Sequence, residues 1–383
     1  MKIKVLSIAA DAAPDAEAMQ TLHAASFVAV HGNCTMNPRA LGLLECTGQV
    51  HGATSCLGAM SHAGVTDGMA IFAIDDPEGA YGTAMLPFDP DSYSAARAAT
   101  MQALAAADRL GEKPELVWVS STPGTEEAIL AGIESVIGMD VPIIGGSAAD
   151  NDVSGQWFVF DKSRCEGAGI VVTVMFPSRP VSFAYHNGYS PTEKSGTVTR
   201  IEGRRVLEID HRPAFEVYRE WSAGAVSIDP ANPALQSILS DSTLAPLGRK
   251  VTELDGLPSY LLAHPAAADT SGALELFATV EEGEILTLMT GTQAGLIDRA
   301  GRVAALARAA GSMETGPIAG ALMVYCGGCM LSVRDRLEEV VAGVSGSLGT
   351  APFLGTFTFG EQGAIIGAGN RHGNLMISCI VFG

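Results

Sequence analysis

Three stretches of this 383-residue chain hold residue types whose spacing could do chemistry. The first is Cys326-Gly-Gly-Cys329, expected where a strand ends and a helix starts, with Ser332 as a candidate N-cap. A thiol at the positive end of a helix is drawn towards the thiolate, so the pair reads as a redox dithiol, half a metal site or a ligand-contacting thiol. Zinc cages normally take a second ligand pair at short spacing, and no other cysteines supply one, so no metal site is assigned. The plain alternative is two small residues in a tight turn. The second stretch is Gly145-Gly-Ser-Ala-Ala-Asp-Asn151. Its glycines permit a sharp turn with exposed amides, and Ser147, Asp150 and Asn151 add polar groups at one strand end. The third is the C-terminal run holding Glu361, Asn370, His372 and Asn374, expected on the facing ends of two adjoining strands. A carboxylate beside an imidazole can hold an amine or move a proton.

Other chemistry is excluded by pattern. The run from Gly367 lacks the third glycine of a dinucleotide fingerprint. No G-x-S-x-G, H-E-x-x-H, Walker lysine loop or EF-hand motif occurs. The 23 Lys and Arg face 42 Asp and Glu, a net charge of −19 that repels phosphate backbones and argues against nucleic acid. No 18-residue apolar run exists, and Asp11 interrupts the N-terminus too early for a secretory segment, which argues against a membrane. Seven scattered cysteines do not form a disulfide framework, so a reduced, cytoplasmic protein is expected. His31, His51, His62 and His186 are candidate axial ligands should haem be bound. Met19, Met36, Met60 and Met69 are read as core filler.

The elements that must position these residues alternate between strand and helix. Apolar periodicity predicts helices at 92–109, 125–137, 294–310 and 332–344, and strands at 116–120, 169–176, 285–290, 321–326, 353–359 and 374–382. The segments also repeat. Leu116, Val141 and Ile170 are followed 206, 210 and 206 residues later by Leu322, Ala351 and Met376, at matching points of a strand–helix–strand–strand unit. A fainter copy opens at Phe27-Val-Ala-Val-His-Gly and continues through Val50-His-Gly and Met69-Ala-Ile. At equivalent strand ends stand His51-Gly-Ala-Thr-Ser-Cys56, Gly145–Asn151 and the segment from Gly355 to Glu361, expected to converge on one cleft. The fold class expected is α/β, with repeated strand–helix–strand units forming mixed sheets flanked by helices. Prolines 230, 233 and 246 mark 223–247 as the boundary and candidate hinge, dividing the chain into domains 1–222 and 223–383.

These motifs resemble the FIST family, sensory proteins with paired N- and C-terminal FIST domains. The resemblance rests on Val50-His-Gly-Ala-Thr-Ser-Cys with Gly58, Ile143-Ile-Gly-Gly-Ser-Ala-Ala-Asp-Asn, Val206-Leu-Glu-Ile-Asp with Pro213-Ala-Phe-Glu-Val-Tyr, Gly283-Glu-Ile, Val324-Tyr-Cys-Gly-Gly-Cys, Phe359-Gly-Glu-Gln-Gly and His372-Gly-Asn. It implies a signal-input module for small ligands, with amino acids the usual suggestion. One branch binds haem, senses nitric oxide and acts on a histidine kinase or cyclic-di-GMP enzyme. The chain departs from the family in having Cys326-Gly-Gly where a Cys is often followed by an Arg pair, and Phe359-Gly-Glu-Gln362 where Tyr-Gly-Glu-Ile is common.

The leading expectation is a non-catalytic cytoplasmic sensor of an amino-acid-like ligand that signals to a separate partner protein. Its ligand-binding residues would be Gly145, Gly146, Ser147, Asp150, Asn151, Cys326, Cys329, Glu361, Asn370, His372, Asn374 and His51. Glu361 would accept the ligand amine, the Gly145 and Gly146 amides would hold its carboxylate, and Asn374 would orient it. A haem-binding nitric-oxide sensor and a CxxC thiol redox enzyme are the alternatives.

Overall fold

Strict inside–outside alternation along three parallel strand pairs organises the molecule. The computed structural model describes residues 1–12, 14–311 and 316–383. Phe27–Gly32 pairs in parallel with Gln49–Thr54, Leu116–Ser121 with Ile143–Ser147, and Gly320–Cys326 with Phe353–Thr358. Each pair takes an antiparallel strand on the side of its first member: Met69–Asp75, Gly169–Phe176 and Met376–Phe382. A further antiparallel strand lies outside each of these: Lys2–Ile8, Ala80–Pro87 and Val181–Asn187. The three repeats thus build three separate sheets. Ile143–Ser147 and Val181–Asn187 pair with Glu361–Ile365 and Met376–Phe382, so the sheets join early and late parts of the chain.

Because side chains alternate along a strand, one set of positions faces a shared centre and the other faces helices. Phe27, Ala29, Phe72, Leu116, Trp118, Ile144, Leu322, Val324, Leu354 and Phe382 form the common core between the sheets. Their sequence neighbours point outwards. Val117, Val119 and Ile143 pack under helices Ser92–Ala106 and Glu126–Ile137, while Ala321, Met323 and Tyr325 pack under Gln293–Ala309 and Leu337–Leu348. Asp91 and Thr292 cap the first helix of each pair, accepting from Ser94 N at 2.8 Å and Gly295 N at 3.0 Å. The C-terminal helices approach so closely that a Cβ on Gly301 would lie 2.7 Å from Gly343 O.

The edge hairpins are exchanged in a cycle. Ala59–Ser61 and Gly64–Thr66, from the first unit, complete the third sheet beside Phe353–Thr358. Val159–Phe160 and Cys165–Glu166, from the second, complete the first beside Gln49–Thr54. Glu361–Ile365 and Gly369–Gly373, from the third, complete the second beside Ile143–Ser147. Each exchange covers an edge that would otherwise offer unpaired backbone groups.

A nine-stranded antiparallel sheet lies outside the repeat, around Ser190–Glu202, Arg205–Ile209, Leu247–Leu254, Leu257–Ala263 and Ile285–Thr290, with its own core of Val198, Val206, Phe215, Tyr218, Leu274 and Leu286. The predicted strands agree with the structure to within two residues. The helix expected at 332–344 differs. A short helix, Gly327–Ser332, begins directly after Cys326, and the main helix starts at Leu337. Ser332 therefore does not cap a helix; its Oγ donates to Gly328 O at 3.1 Å.

Candidate functional site

The third and second units end their strands opposite the nine-stranded sheet, and a cavity of about 570 Å³ separates them. Cys326, Thr358, Phe359 and Asn374 reach it from the third unit, and Gly124, Glu126, Val153 and Trp157 from the second. Arg204, Leu239, Ser240, Thr243, His264, Glu275, Leu276 and Phe277 form the facing wall.

Two sets of bonds hold the walls together. Arg204 Nη2 donates to Glu126 Oε2 at 2.8 Å and to Glu127 Oε2 at 2.7 Å, while Thr279 N donates to Glu127 Oε1 at 2.8 Å. His372 Nε2 stands 3.9 Å from Glu126 Oε2. Burial works to raise both carboxyls, yet His372 and Arg204 hold Glu126 below its usual range and Glu127 at about 2. On the other flank His264 N donates to Asn374 Oδ1 at 3.1 Å. That bond orients the Asn374 amide, because a backbone N–H can only donate. Asn374 is 3% exposed and its Nδ2 has no partner. His264 Nε2 lies 3.0 Å from Ser242 Oγ, and burial lowers the imidazole to about 4, so it is neutral near pH 7.

The expected site residues divide between the cavity wall, the layer behind it and distant supports. Cys326 and Asn374 line the cavity. Ser147, Glu361 and His372 are directly behind it. Ser147 Oγ donates to Glu126 Oε1 at 2.9 Å, and Thr358 Oγ1 donates to Glu361 Oε1 at 2.7 Å. Asp150 organises the loop that carries Val153 and Trp157, accepting from the backbone of Val153, Gly155 and Gln156 at 2.6, 2.7 and 2.8 Å. Asn151 ties that loop to the first unit through Leu57 N at 2.9 Å and Asn33 Oδ1 at 3.1 Å. Asn370 is at the far end of its hairpin, bonded to Ile143 N, Val141 O and Glu134. His51 lies in the central core, 2.9 Å from both Thr173 Oγ1 and Ser120 Oγ. Cys329 is buried beside Tyr189 OH at 3.6 Å. The three glycine-marked ends therefore do not meet at one cleft, since the first unit's end is closed.

The chemical roles change accordingly. Glu361 does not receive a ligand amine: it is fully buried, its oxygens accept from Thr358 and from Met376 N at 3.0 Å, and burial pushes its carboxyl well above the usual range. Gly145 and Gly146 are strand residues paired on both sides, so their amides do not cradle a carboxylate. A Cβ on Gly145 would overlap Val119 O, and this close approach is the reason for glycine there. The Cys326 thiol is not activated: burial and the neighbouring Cys329 push it well above its ordinary value. None of His31, His51, His62 and His186 lines the cavity; the histidine that does is His264.

Sequence reasoning missed Glu126, Arg204, Trp157, His264 and Phe277. Glu126 had a signal, as the first of two carboxylates opening an apolar helix after Thr-Pro-Gly-Thr. Arg204 and His264 had none, because they belong to the sheet that stands outside the repeat.

Fold and site together define an α/β protein with a three-fold internal repeat and one cavity walled by a separate sheet. The chain belongs to the FIST family: the FIST N domain matches residues 36–212 and the FIST C domain residues 214–364. FIST domains are generally described as small-ligand sensory domains in signalling proteins. The chain is also similar to the uncharacterized protein MJ1623 of Methanocaldococcus jannaschii, 34% identical over 82 residues, which is 21% of this chain and 16% of that protein's length. Among solved structures, a cyanuic acid hydrolase from A. caulinodans shares 13% identity over 48% of this chain and 70% of that one, with a TM-score of 0.28.

Proposed function

We propose that the protein is a non-catalytic sensor whose ligand occupies the cavity between the repeat body and the nine-stranded sheet, and which signals to a separate protein. The observation that carries this reading is the cavity's composition: apolar and aromatic walls, a few convergent polar groups and an unpartnered amide donor at Asn374. Its walls belong to two bodies, so a ligand touching both favours the closed arrangement over an open one, and that difference in affinity is what drives a conformational signal. The wall segment 239–243 lies within the stretch expected to act as a hinge. By kinship, the partner is a histidine kinase or a cyclic-di-GMP enzyme. Within the amino-acid-like class, the cavity favours members without a free carboxylate.

A thermal-shift screen of small metabolites, repeated on Gly328→Leu, tests the site. A Cβ at Gly328 would stand 3.7 Å from both Cys326 Sγ and His264 Cε1, so a leucine there grows into the cavity. Hits should raise the midpoint of the wild type, leave the variant unmoved and slow hydrogen exchange across 236–243. Hits that stabilise both proteins equally would place the ligand elsewhere and end this reading.

A further inference from the structure

The charges around the cavity restrict its ligand more sharply than its size does. Arg204 is the cationic side chain among the described lining residues, and its guanidinium already faces Glu126 and Glu127. Glu275 adds a third carboxylate. Carboxylates therefore outnumber the guanidinium around the cavity. Neither His264, which is neutral near pH 7, nor the protonated Cys326 thiol supplies a compensating cation. A ligand carboxylate or phosphate would lose its water and meet repulsion instead of a partner.

The uncharged features of the walls are specific. Trp157 and Phe359 stand edge to face at 6.1 Å and 88° on the body side, and His264 and Phe277 at 6.1 Å and 63° on the sheet side. Aromatic pairs on both walls suit a flat ring, which can offer its face to one pair and its edge to the other. Asn374 Nδ2, held in place by the bond to its own Oδ1, is a buried donor that lacks an acceptor.

We infer that the cavity selects a planar ligand without negative charge whose carbonyl oxygen accepts from Asn374 Nδ2, and that it rejects the corresponding carboxylate. This rests on reading the cavity as the ligand site and adds the class of molecule it takes. Free amino acids fall outside that class, and ring amides, lactams and cyclic imides fall within it.

The test uses matched probes that differ in charge and little in shape: benzamide against benzoate, and indole-3-acetamide against indole-3-acetate. Saturation-transfer NMR and calorimetric titration of the full chain give their affinities. The amides should bind about tenfold or more tightly than their acids, and Gly328→Leu should abolish that binding. Asn374→Asp keeps the acceptor for His264 N and replaces the donor, so it should weaken the amides by about tenfold while the midpoint of unfolding shows the fold intact. Should Gly328→Leu not fold, Asn374→Asp alone decides. Acids that bind as well as amides, and are lost on Gly328→Leu, would overturn the ligand class and leave the site standing. Failure of both amides to bind would also overturn it, as would amide binding indifferent to Asn374→Asp. Binding indifferent to Gly328→Leu would instead count against the site itself.

Discussion

The strand ends of the first and third units hold equivalent places in the repeat and meet opposite surroundings. In the first unit, Ser55 Oγ accepts from Phe357 N at 2.8 Å, Cys56 N donates to Phe357 O at 3.0 Å, and Thr54 Oγ1 accepts from Phe158 N at 3.1 Å. Its polar groups are thus spent on the neighbouring units. In the third unit, Cys326 and Thr358 face the cavity, because the nine-stranded sheet spans that end from Arg204 to His264 without filling the space between. Equivalence in a repeat therefore sets where a strand ends. Whether that end is a seal or a site depends on what is laid across it.

The largest effect should come from the core that makes the units depend on one another. Trp118 is fully buried where all three sheets meet, so Trp118→Ala should cost about 3–5 kcal/mol in denaturant unfolding and act on both ends alike. A loss confined to one part of the chain would mean that the units are independent. Arg204→Met acts on the open end. It leaves Glu126 buried without its guanidinium and should cost about 3 kcal/mol, with faster hydrogen exchange in the cavity wall and unchanged exchange around Ser55. Equal acceleration at both ends would erase the distinction.

The pH dependence follows from groups held in unusual states. His31, His51 and His264 are buried neutral, with His31 lowered to about 3 and His264 to about 4. Each takes up a proton on unfolding once the pH falls below its ordinary 6.5, so the stability they favour is complete above that value and is lost as pH falls towards 4. Glu361 opposes them: it is protonated in the fold and releases its proton on unfolding above 4.5. Near pH 5.5 His31 and His264 should each take up about one proton on unfolding, with lowered His51 and His186 acting in the same direction and Glu361 against them, so acidification should destabilise the fold. His264→Gln should lower that uptake by about one proton, measured by denaturation across pH 5 to 6.5. An unchanged slope would show that the cavity histidine is already charged. The smallest effect concerns the thiols. Burial pushes Cys56 up to about 12 and Cys326 well above its ordinary value, so alkylation at pH 7.5 should mark exposed Cys165 first and leave both buried thiols unmodified. Prompt modification of Cys326 would show that the cavity admits water more freely than its walls suggest.

The fold was legible wherever local pattern carries the information. The alternation in Leu116–Ser121 and Gly320–Cys326, the helices behind them and the spacing between the two units could be read because each depends on residues close together in the chain. The site was legible in part. Cys326 and Asn374 stand out by type and position, and Ser147 and His372 lie one layer away. His51 misled because its polar neighbours, Ser120 and Thr173, come from another unit and close around it. Glu361 misled for a related reason: a carboxylate in a glycine-rich turn reads as available, and only the packed structure shows both its oxygens engaged.

The sequence by itself determined the strand and helix segments, the repeat and the acidic, apolar-rich character, since periodicity and composition are properties of neighbouring residues. Tertiary structure alone decided the cyclic exchange of hairpins, the placing of the nine-stranded sheet across two strand ends and the pairing of Arg204 with Glu126 and Glu127. Those outcomes turn on which distant surfaces bury most apolar area while satisfying most covered polar groups. That balance is struck between segments as far apart as Ser55 and Phe357, 302 residues from one another.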